Sequence, residues 1–435
     1  MSRRVLIPTQ KGVPMPSRAR SCAFALIVLS GACSSNNEKA RGADTSSGGA
    51  ASLGEASSGG QSATGGAQDQ GGTSGSSPGS NPKQDAGPGQ QLHDYLGDTD
   101  YPDDFWQIAT PAQSGMDPVR LQQALDFIQS KGWEIHAFLI ARNGRLAFER
   151  YGWKSGNNPN DPDKTSHQVV PSEQHPIFSV TKSFLSALVG QAIADGFISG
   201  VDHRVGDWFA DYSQLNPSSQ KSSITLEHLL TMRSGLTFTE GESTVFDDEP
   251  DPARALLSRD LATTPGTTWN YSSGDAEIVA EILRITTGQT PLEYAKAKLF
   301  GPLGIVNPPW DAGKSGTNHG GFGLSLTARE MARFGELYRN GGLFRNQQVL
   351  PATWVSNSIA YKCTTTWGMD YGYYWFLPNV NDFFVAIGFN GQQIFVSRNY
   401  GLVIVFTGDI PSSEANIDYT QIITNYVVPA IKTTQ

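Results

Sequence analysis

A long run of small and polar residues divides this chain and limits where a folded domain can lie. From residue 34 to about residue 89 the sequence is almost entirely Gly, Ser, Ala and Gln, with nearly no large apolar side chain. Such a segment cannot bury enough apolar surface to offset the conformational entropy lost on folding. We therefore predict a disordered tether over residues 33–94 and one large folded domain over residues 95–435.

The residues before the tether are arranged like an export signal. A basic stretch precedes the apolar run 22–32, which is far shorter than the roughly 20 residues of a membrane-spanning helix. The run ends in Leu-Ser-Gly-Ala before Cys33, an ending that resembles a bacterial lipobox. We predict a lipoprotein-type signal peptide over residues 1–32, lipidation of Cys33, and a cell-envelope location facing the periplasm or the cell surface. Membrane contact would be through the lipid anchor alone; simple secretion after cleavage near Ala32 is the alternative.

Charge and cysteine content exclude several classes of function. The chain carries 32 Lys and Arg against 41 Asp and Glu and has no basic block beyond its N-terminus, so we expect no nucleic-acid partner. The three cysteines form no C-x-x-C pair, and the seven histidines show no metal-binding spacing. We therefore expect no disulfide framework, no metal ion and no organic cofactor. Cys363 is expected to be a small core residue.

Hydrophobic patterning at the start of the folded part predicts a helix and a hairpin. Asp117-Pro118 begins a helical pattern that ends at Gly132. Two strand-like runs follow at 136–141 and 145–151, and Asn143-Gly144 between them is typical of a tight hairpin turn.

The rest of the chain is helical first and strand-like later. Residues 179 to about 360 show mainly helical patterning, and strand-like runs follow, ahead of a final helix, at 371–377, 383–388, 393–397 and 402–407. This order suits an α/β (α+β) domain with a helical insertion, in which both chain ends complete one central antiparallel sheet flanked by helices. Aromatic residues of this part could line a cleft, but we expect them in the core: Trp367, Tyr371, Tyr373, Tyr374 and Trp375.

The pair Ser179 and Lys182 has the spacing of a nucleophile and its base. At the start of a predicted helix, side chains three residues apart lie on one face, and a neutral amine can take the proton of a hydroxyl. The Ser179 backbone N–H and the helix field would favour an oxyanion there. Lys182 needs a pKa far below its ordinary value of about 10.4, which burial or a neighbouring cation must supply. Taken alone, S-x-x-K is also consistent with a helix-capping serine and a surface lysine.

Three other motifs accompany this pair, and together the four resemble one enzyme family. Tyr271 lies in the turn 265–274, Ser-Gly-Leu ends the run 225–236, and Gly-Gly begins the run 320–332. With the Ser179 segment they resemble the penicillin-recognising serine hydrolases: class C β-lactamases, DD-peptidases, family VIII esterases and 6-aminohexanoate-dimer hydrolases. The resemblance spans residues 105–430 and implies a β-lactamase/transpeptidase-like fold.

The resemblance also implies roles for individual residues. Ser179 would be the acylated nucleophile, Lys182 its proton acceptor, and Tyr271 the phenol that relays the proton to the leaving group. The family's strand motif would fall on residues 386–388, so the N–H groups of Ser179 and Phe389 would form the oxyanion hole. The alternative register sets residues 390–392 against that motif. Contacts with substrate are implied for Ser273, Ile387, Gly388 and Asn390.

Two departures from the family pattern bear on the substrate. Relatives that open β-lactams usually have Tyr-x-Asn where this chain has Ser273, and a basic strand residue where it has Ala386. Loss of such a charge-assisted hydrogen bond removes about 1.5–3 kcal/mol. We therefore predict a serine hydrolase that cleaves a small ester or amide, such as a short acyl ester or a 6-aminohexanoate oligomer, through a Ser179 acyl-enzyme. The alternatives are a β-lactamase or DD-peptidase, and a non-catalytic envelope binding protein.

Overall fold

The computed structural model describes residues 91–157, 164–211, 219–242, 244–378, 380, 382–410 and 419–432. These residues all belong to one compact unit. The predicted signal peptide, Cys33 and the predicted tether up to residue 90 lie outside the described residues. The described chain enters the main sheet at His93–Asp94, just before the predicted domain start at residue 95.

The strands are short at the edges and long in the middle of the sheet. In chain order they are β1 (His93–Asp94), β2 (Gln107–Ile108), β3 (Ile135–Arg142), β4 (Arg145–Tyr151), β5 (Trp153–Lys154), β6 (His167–Gln168), β7 (His175–Pro176), β8 (Ser325–Leu326), β9 (Leu343–Phe344), β10 (Gln347–Gln348), β11 (Cys363–Thr364), β12 (Asp370–Tyr371), β13 (Phe376–Leu377), β14 (Phe383–Gly388), β15 (Gln392–Ser397) and β16 (Leu402–Gly408).

Both ends of the described chain complete one ten-stranded sheet, as predicted. Its order is β1-β4-β3-β16-β15-β14-β13-β12-β11, with β2 pairing parallel to β4 at one side. The predicted hairpin joins β3 to β4, and both of its turn residues, Asn143 and Gly144, have positive φ angles. Strand β16 pairs antiparallel with β3, so the C-terminal strands add directly to the N-terminal hairpin.

One predicted strand is wrong. The run 371–377 divides into β12 and β13, which pair with each other around a turn. Tyr374 in that turn has a φ of 61°, and Gly372 lies so close to the Ser358 carbonyl that a Cβ atom would clash with it. The alternation of aromatic residues predicts an extended strand, but it does not indicate that Gly372 packs against the Ser358 carbonyl and that the chain turns there.

The helices are α1 (Pro118–Lys131), α2 (Thr181–Ala194), α3 (Leu226–Leu230), α4 (Thr244–Asp247), α5 (Pro252–Ser258), α6 (Ser273–Thr287), α7 (Pro291–Ala295), α8 (Gly301–Leu303), α9 (Ala328–Arg339), α10 (Ala352–Ser358) and α11 (Tyr419–Ile422). Helix α1 has the predicted ends: the Asp117 side chain accepts from the Val119 N–H, and Gly132 ends the helix with a φ of 66°. No helix among the described residues has both the length and the apolar character needed to cross a membrane.

Helix α2 lies inside the domain and carries the candidate site at its start. Residues 181 to 192 are all buried, which is typical of a core helix apolar on every side. Helices α6, α7 and α10 pack against it, and the turn before it contacts β14 and β15.

Helix α9 packs on the sheet over β15, β16 and β3. Cys363 is buried, which confirms its predicted core position.

Candidate active site

Ser179 lies in a tight turn that precedes α2. Residues Phe178–Val180 form one turn of 3-10 helix, and the α-helix begins at Thr181, two residues later than the pattern predicts. Phe178 has a φ of 47°, a backbone conformation that costs free energy for a residue with a side chain and that clusters at functional sites. Ser179 is 8% exposed, whereas Val180 and Thr181 after it are fully buried.

Lys182 is buried, and its amine lies beside Ser179, as the three-residue spacing predicts. Its Nζ lies 3.0 Å from Ser179 Oγ, 2.9 Å from Ser273 Oγ and 2.9 Å from the Gly321 carbonyl oxygen. Burial lowers the pKa of Lys182 to about 8, although the carboxylates of Glu240 and Glu277 act in the opposite direction. Of the two causes that the sequence left open, burial supplies the shift and a neighbouring cation does not.

The three contacts suit a neutral amine that acts as a base. A neutral amine has two N–H donors and one lone pair, and the Gly321 carbonyl can only accept. If Ser273 accepts the second N–H, the lone pair is left for the Ser179 hydroxyl proton. After proton transfer, the ammonium group keeps all three neighbours as acceptors, so the transfer requires little movement of the site.

Tyr271 completes the group of three side chains that the sequence predicts. Its ring centroid lies 4.9 Å from Lys182 Nζ, and the Ser179 side chain beside it acts to lower the Tyr271 pKa. Burial, reinforced by Glu240, raises the pKa of Tyr271 well above its ordinary value. The phenol therefore holds its proton at neutral pH and can donate it. The Trp367 ring lies 5.5 Å from the Tyr271 ring and holds it from one side.

Ser273, for which the sequence analysis predicts contact with substrate, is buried between two other side chains of the site. Ser273 is 1% exposed. Its hydroxyl lies against Lys182 on one side and 2.5 Å from Glu240 Oε1 on the other, while its backbone N–H donates to Glu240 Oε2 at 2.9 Å. Glu240 is a site residue that the sequence analysis missed, because it lies in an irregular loop with no periodicity or motif of its own.

The Gly-Gly motif supplies the carbonyl that anchors Lys182. Glu277 on α6 accepts a hydrogen bond from the Gly320 N–H at 3.0 Å and pairs with His319 at 3.4 Å. A Cβ atom on Gly320 would clash with the Ala276 carbonyl, so the close approach of this loop to α6 requires glycine. The loop is thereby held where the Gly321 carbonyl reaches Lys182. The Gly-Gly motif is recognisable in the sequence, but its position as hydrogen-bond acceptor for Lys182 is not.

The Ser-Gly-Leu motif is tied to the Tyr271 turn through a buried carboxyl group. Asp275 accepts from the hydroxyls of Ser234 at 2.7 Å and Ser272 at 3.2 Å. Burial raises the pKa of Asp275 to about 7, although both hydrogen bonds act against the rise. Asp275 thus fixes the first turn of α6 and, with it, the residue next to Tyr271.

The end of strand β14 lies beside the Ser179 turn. A Cβ atom on Gly388 would clash with the Ile177 carbonyl, and the rings of Phe389 and Phe178 lie 5.6 Å apart, edge to face. Ile387 is half-buried, and Asn390 has a φ of 58° and donates to Asp409 Oδ1 at 2.9 Å. This close approach at Gly388 favours the register with 386–388 beside the nucleophile. The N–H of Phe389 as an oxyanion donor stays a prediction.

The aromatic stretch is core with one exception. Four of its members are buried, as expected: Tyr371, Tyr373, Tyr374 and Trp375. The half-buried Trp367 instead contacts Tyr271.

Within the described residues, no group of three or more His, Cys, Asp or Glu side chains has an arrangement that could hold a metal ion.

Comparisons with known proteins agree with this geometry. The Beta-lactamase family model matches residues 134–423. The 6-aminohexanoate-dimer hydrolase of Paenarthrobacter ureafaciens is 23% identical over 301 residues, which cover 64% of this chain and 73% of that protein. Esterase EstB of Burkholderia gladioli is 24% identical over 184 residues, 38% of this chain and 44% of EstB. A solved family VIII carboxylesterase superimposes with a TM-score of 0.58 at 15% identity, over 71% of this chain and 96% of that one.

The family match includes the Ser179 turn, the Tyr271 turn, the Gly-Gly loop and strand β14. It confirms the resemblance drawn from the four motifs, and the solved structure confirms the fold. This chain belongs to the β-lactamase family of serine hydrolases.

Proposed function

We propose that this protein cleaves a small ester or amide through an acyl-enzyme on Ser179, with Lys182 as base and Tyr271 as proton donor. The observation that carries the proposal is the buried Lys182 Nζ at 3.0 Å from Ser179 Oγ, with its pKa lowered to about 8. At that pKa an appreciable fraction of the amine is uncharged near neutral pH. General bases work best when their pKa lies near the working pH.

The proposed acylation moves one proton in two steps. Lys182 takes the proton of Ser179 as Oγ bonds to the carbonyl carbon of the substrate, and the carbonyl oxygen becomes an oxyanion. The bond to the leaving alcohol or amine then breaks, and the leaving group takes a proton from Tyr271, which Lys182 replaces. Water repeats the sequence in reverse on the acyl-enzyme and releases the acid.

We further propose that the backbone N–H groups of Ser179 and Phe389 hold the oxyanion. The approach of Gly388 to Ile177 supports this, because it brings the end of β14 against the nucleophile turn. Donors preorganised in this way contribute about 2.7–4 kcal/mol each to transition-state stabilisation. Contacts of Ile387, Gly388 and Asn390 with substrate are part of the same proposal.

An ester or amide without a carboxylate next to the reacting carbonyl fits this chain better than a β-lactam. The strand position of the family's basic residue is Ala386, a buried apolar residue, and Glu240 adds negative charge near Lys182. A β-lactam carboxylate would thus meet no cation on this strand and would approach an acidic loop. The names of relatives, a dimer hydrolase and an esterase, support the same substrate class.

A comparison of two chromogenic substrates tests the proposal. The purified protein is assayed with a short-chain nitrophenyl ester and with the β-lactam nitrocefin, beside Ser179→Ala. We expect ester turnover that the variant loses and about 10- to 100-fold slower turnover of nitrocefin, because the missing charge-assisted hydrogen bond removes about 1.5–3 kcal/mol. Turnover of nitrocefin equal to that of the ester would instead support a β-lactamase. Activity that persists in Ser179→Ala would contradict the site itself.

We also propose that the protein is exported and anchored by a lipid on Cys33. The basic stretch, the short apolar run and the residues before Cys33 support this. Mass spectrometry of the membrane fraction should find the mature N-terminus acylated at Cys33, and Cys33→Ala should release the protein from the membrane. An unmodified N-terminus near residue 33 would favour simple secretion.

A further inference from the structure

Glu240 is linked to Lys182 through a single hydroxyl group. Ser273 Oγ lies 2.9 Å from Lys182 Nζ and 2.5 Å from Glu240 Oε1. The Ser273 backbone N–H donates to the second oxygen of the same carboxylate at 2.9 Å. The carboxylate is therefore held at both oxygens by one residue, at the first turn of α6.

These contacts set the direction of every hydrogen bond around Lys182. An ionised carboxylate can only accept, so Ser273 donates its hydroxyl proton to Glu240 and turns its lone pairs to Lys182. The two N–H groups of the neutral amine then go to Ser273 and to the Gly321 carbonyl. The remaining lone pair has Ser179 Oγ as its partner at 3.0 Å.

We propose that Glu240 is a positioning residue that acts through Ser273: it aims the lone pair of Lys182 at Ser179 and supplies the counter-charge for the ammonium that forms on acylation. The inference rests on the proposed function. In this step the proton passes from Ser179 Oγ to Lys182 Nζ, and the Oγ electron pair forms the bond to the carbonyl carbon. Glu240 and Ser273 keep their own protonation states throughout.

Other charged groups near Lys182 act differently. Glu277 also raises the pKa of Lys182, but its carboxylate binds the Gly320 N–H and pairs with His319, so its effect is indirect. Tyr271 faces Lys182 with its ring and stays protonated. Glu240 is thus the carboxylate that reaches the amine through a single intervening hydroxyl.

The test compares Glu240→Gln with a matched carboxylate of the same loop. Glu242 pairs with Arg259 at 2.8 Å and accepts from the Thr239 N–H at 2.7 Å, a bond that an amide oxygen can keep, so Glu242→Gln is the control. The rate of Ser179 phosphonylation by a fluorophosphonate is measured against pH in the full-length protein, since it requires the same activated hydroxyl. Glu240→Asp tests whether a shorter carboxylate restores part of the effect.

Glu240→Gln is expected to lower the pH midpoint of the rate by about one unit, because it removes a charge that favours the ammonium form. The plateau above the midpoint should fall about tenfold or more, because the amide can donate to Ser273 and reverse the hydroxyl. Glu240→Asp should recover part of the plateau, and Glu242→Gln should match the wild type. An unchanged midpoint, or an equal loss at every pH, would overturn the inference.

A second measurement separates this inference from the proposed function. Titration of the protein with ¹⁵N-labelled lysine by NMR, assigned with Lys182→Met, reports the Lys182 midpoint without any reaction. A lower midpoint in Glu240→Gln supports the coupling even if no substrate is cleaved, and an unchanged one overturns it. Failure of the wild type to react at Ser179 would contradict the proposed function alone.

Discussion

Lys182 and Ser179 meet across the junction of a 3-10 turn and an α-helix, with Nζ 3.0 Å from Oγ. Lys182 is 2% exposed whereas Ser179 is 8% exposed. The amine therefore loses its hydration, whereas the residue that carries the nucleophile keeps a small exposed surface. This difference arises within one turn at the start of α2.

The activity should rise with pH through the titration of Lys182. Its pKa is lowered to about 8, and the neutral form above that pH is the one that accepts a proton. We expect kcat/KM for an ester to increase about tenfold per unit below the midpoint and to level off above it. A stopped-flow profile from pH 5.5 to 10 checks this; a rate that falls across that range would rule out a neutral lysine base.

Tyr271→Phe should reduce activity to a different extent for substrates with different leaving groups. The variant keeps the ring that packs on Trp367 but cannot donate a proton. Alkyl esters and amides, whose leaving groups need protonation, should lose about 10²–10⁴-fold in kcat/KM, which reports acylation and not the later hydrolysis of the acyl-enzyme. Nitrophenyl esters, whose leaving group departs as an anion, should lose about tenfold or less. Equal losses for both substrate types would show that the phenol is not the donor.

Gly388→Ala should disrupt the contact between β14 and the Ser179 turn. The added Cβ would clash with the Ile177 carbonyl, whereas on Gly313 the nearest atoms lie 3.3 Å away. We expect Gly388→Ala to reduce the free energy of unfolding by about 1–3 kcal/mol and to lower kcat. Gly313→Ala brings its Cβ within 3.3 Å of the Phe246 carbonyl oxygen, a milder approach, so as control it should change both quantities less than Gly388→Ala does. Denaturant unfolding and ester assays measure both, and wild-type behaviour of Gly388→Ala would contradict the close approach.

The buried pair of Arg329 and Glu149 should matter for stability rather than catalysis. It joins α9 to β4 with bonds of 2.6 and 2.9 Å, and Glu149 is 0% exposed. Glu149→Ala leaves the buried Arg329 guanidinium with the Tyr101 carbonyl but without its carboxylate, and should cost about 3–5 kcal/mol. Asp211→Ala removes one of the two carboxylates that pair with the exposed Arg254 and should leave the free energy of unfolding almost unchanged. Similar losses for the two variants would contradict this distinction.

The sequence predicts most of the frame because local signals decide it. Asp117 and Gly132 bound α1, Asn143-Gly144 makes the hairpin, and the S-x-x-K spacing brings Ser179 and Lys182 together. The features that the sequence does not predict depend on contacts between residues that are far apart in the chain. Glu240 reaches Ser273 from an irregular loop 33 residues away, and the turn that divides 371–377 arises where Gly372 meets Ser358. Neither has a periodic or motif signal.

Covalent labelling tests the central claim most directly. The protein is treated with a fluorophosphonate at pH 8, digested, and the modified residue is identified by mass spectrometry. We predict one adduct, on Ser179, that is absent in Ser179→Ala and forms at least 100-fold more slowly in Lys182→Met. An adduct on another residue, or undiminished labelling of Ser179 without Lys182, would contradict the account.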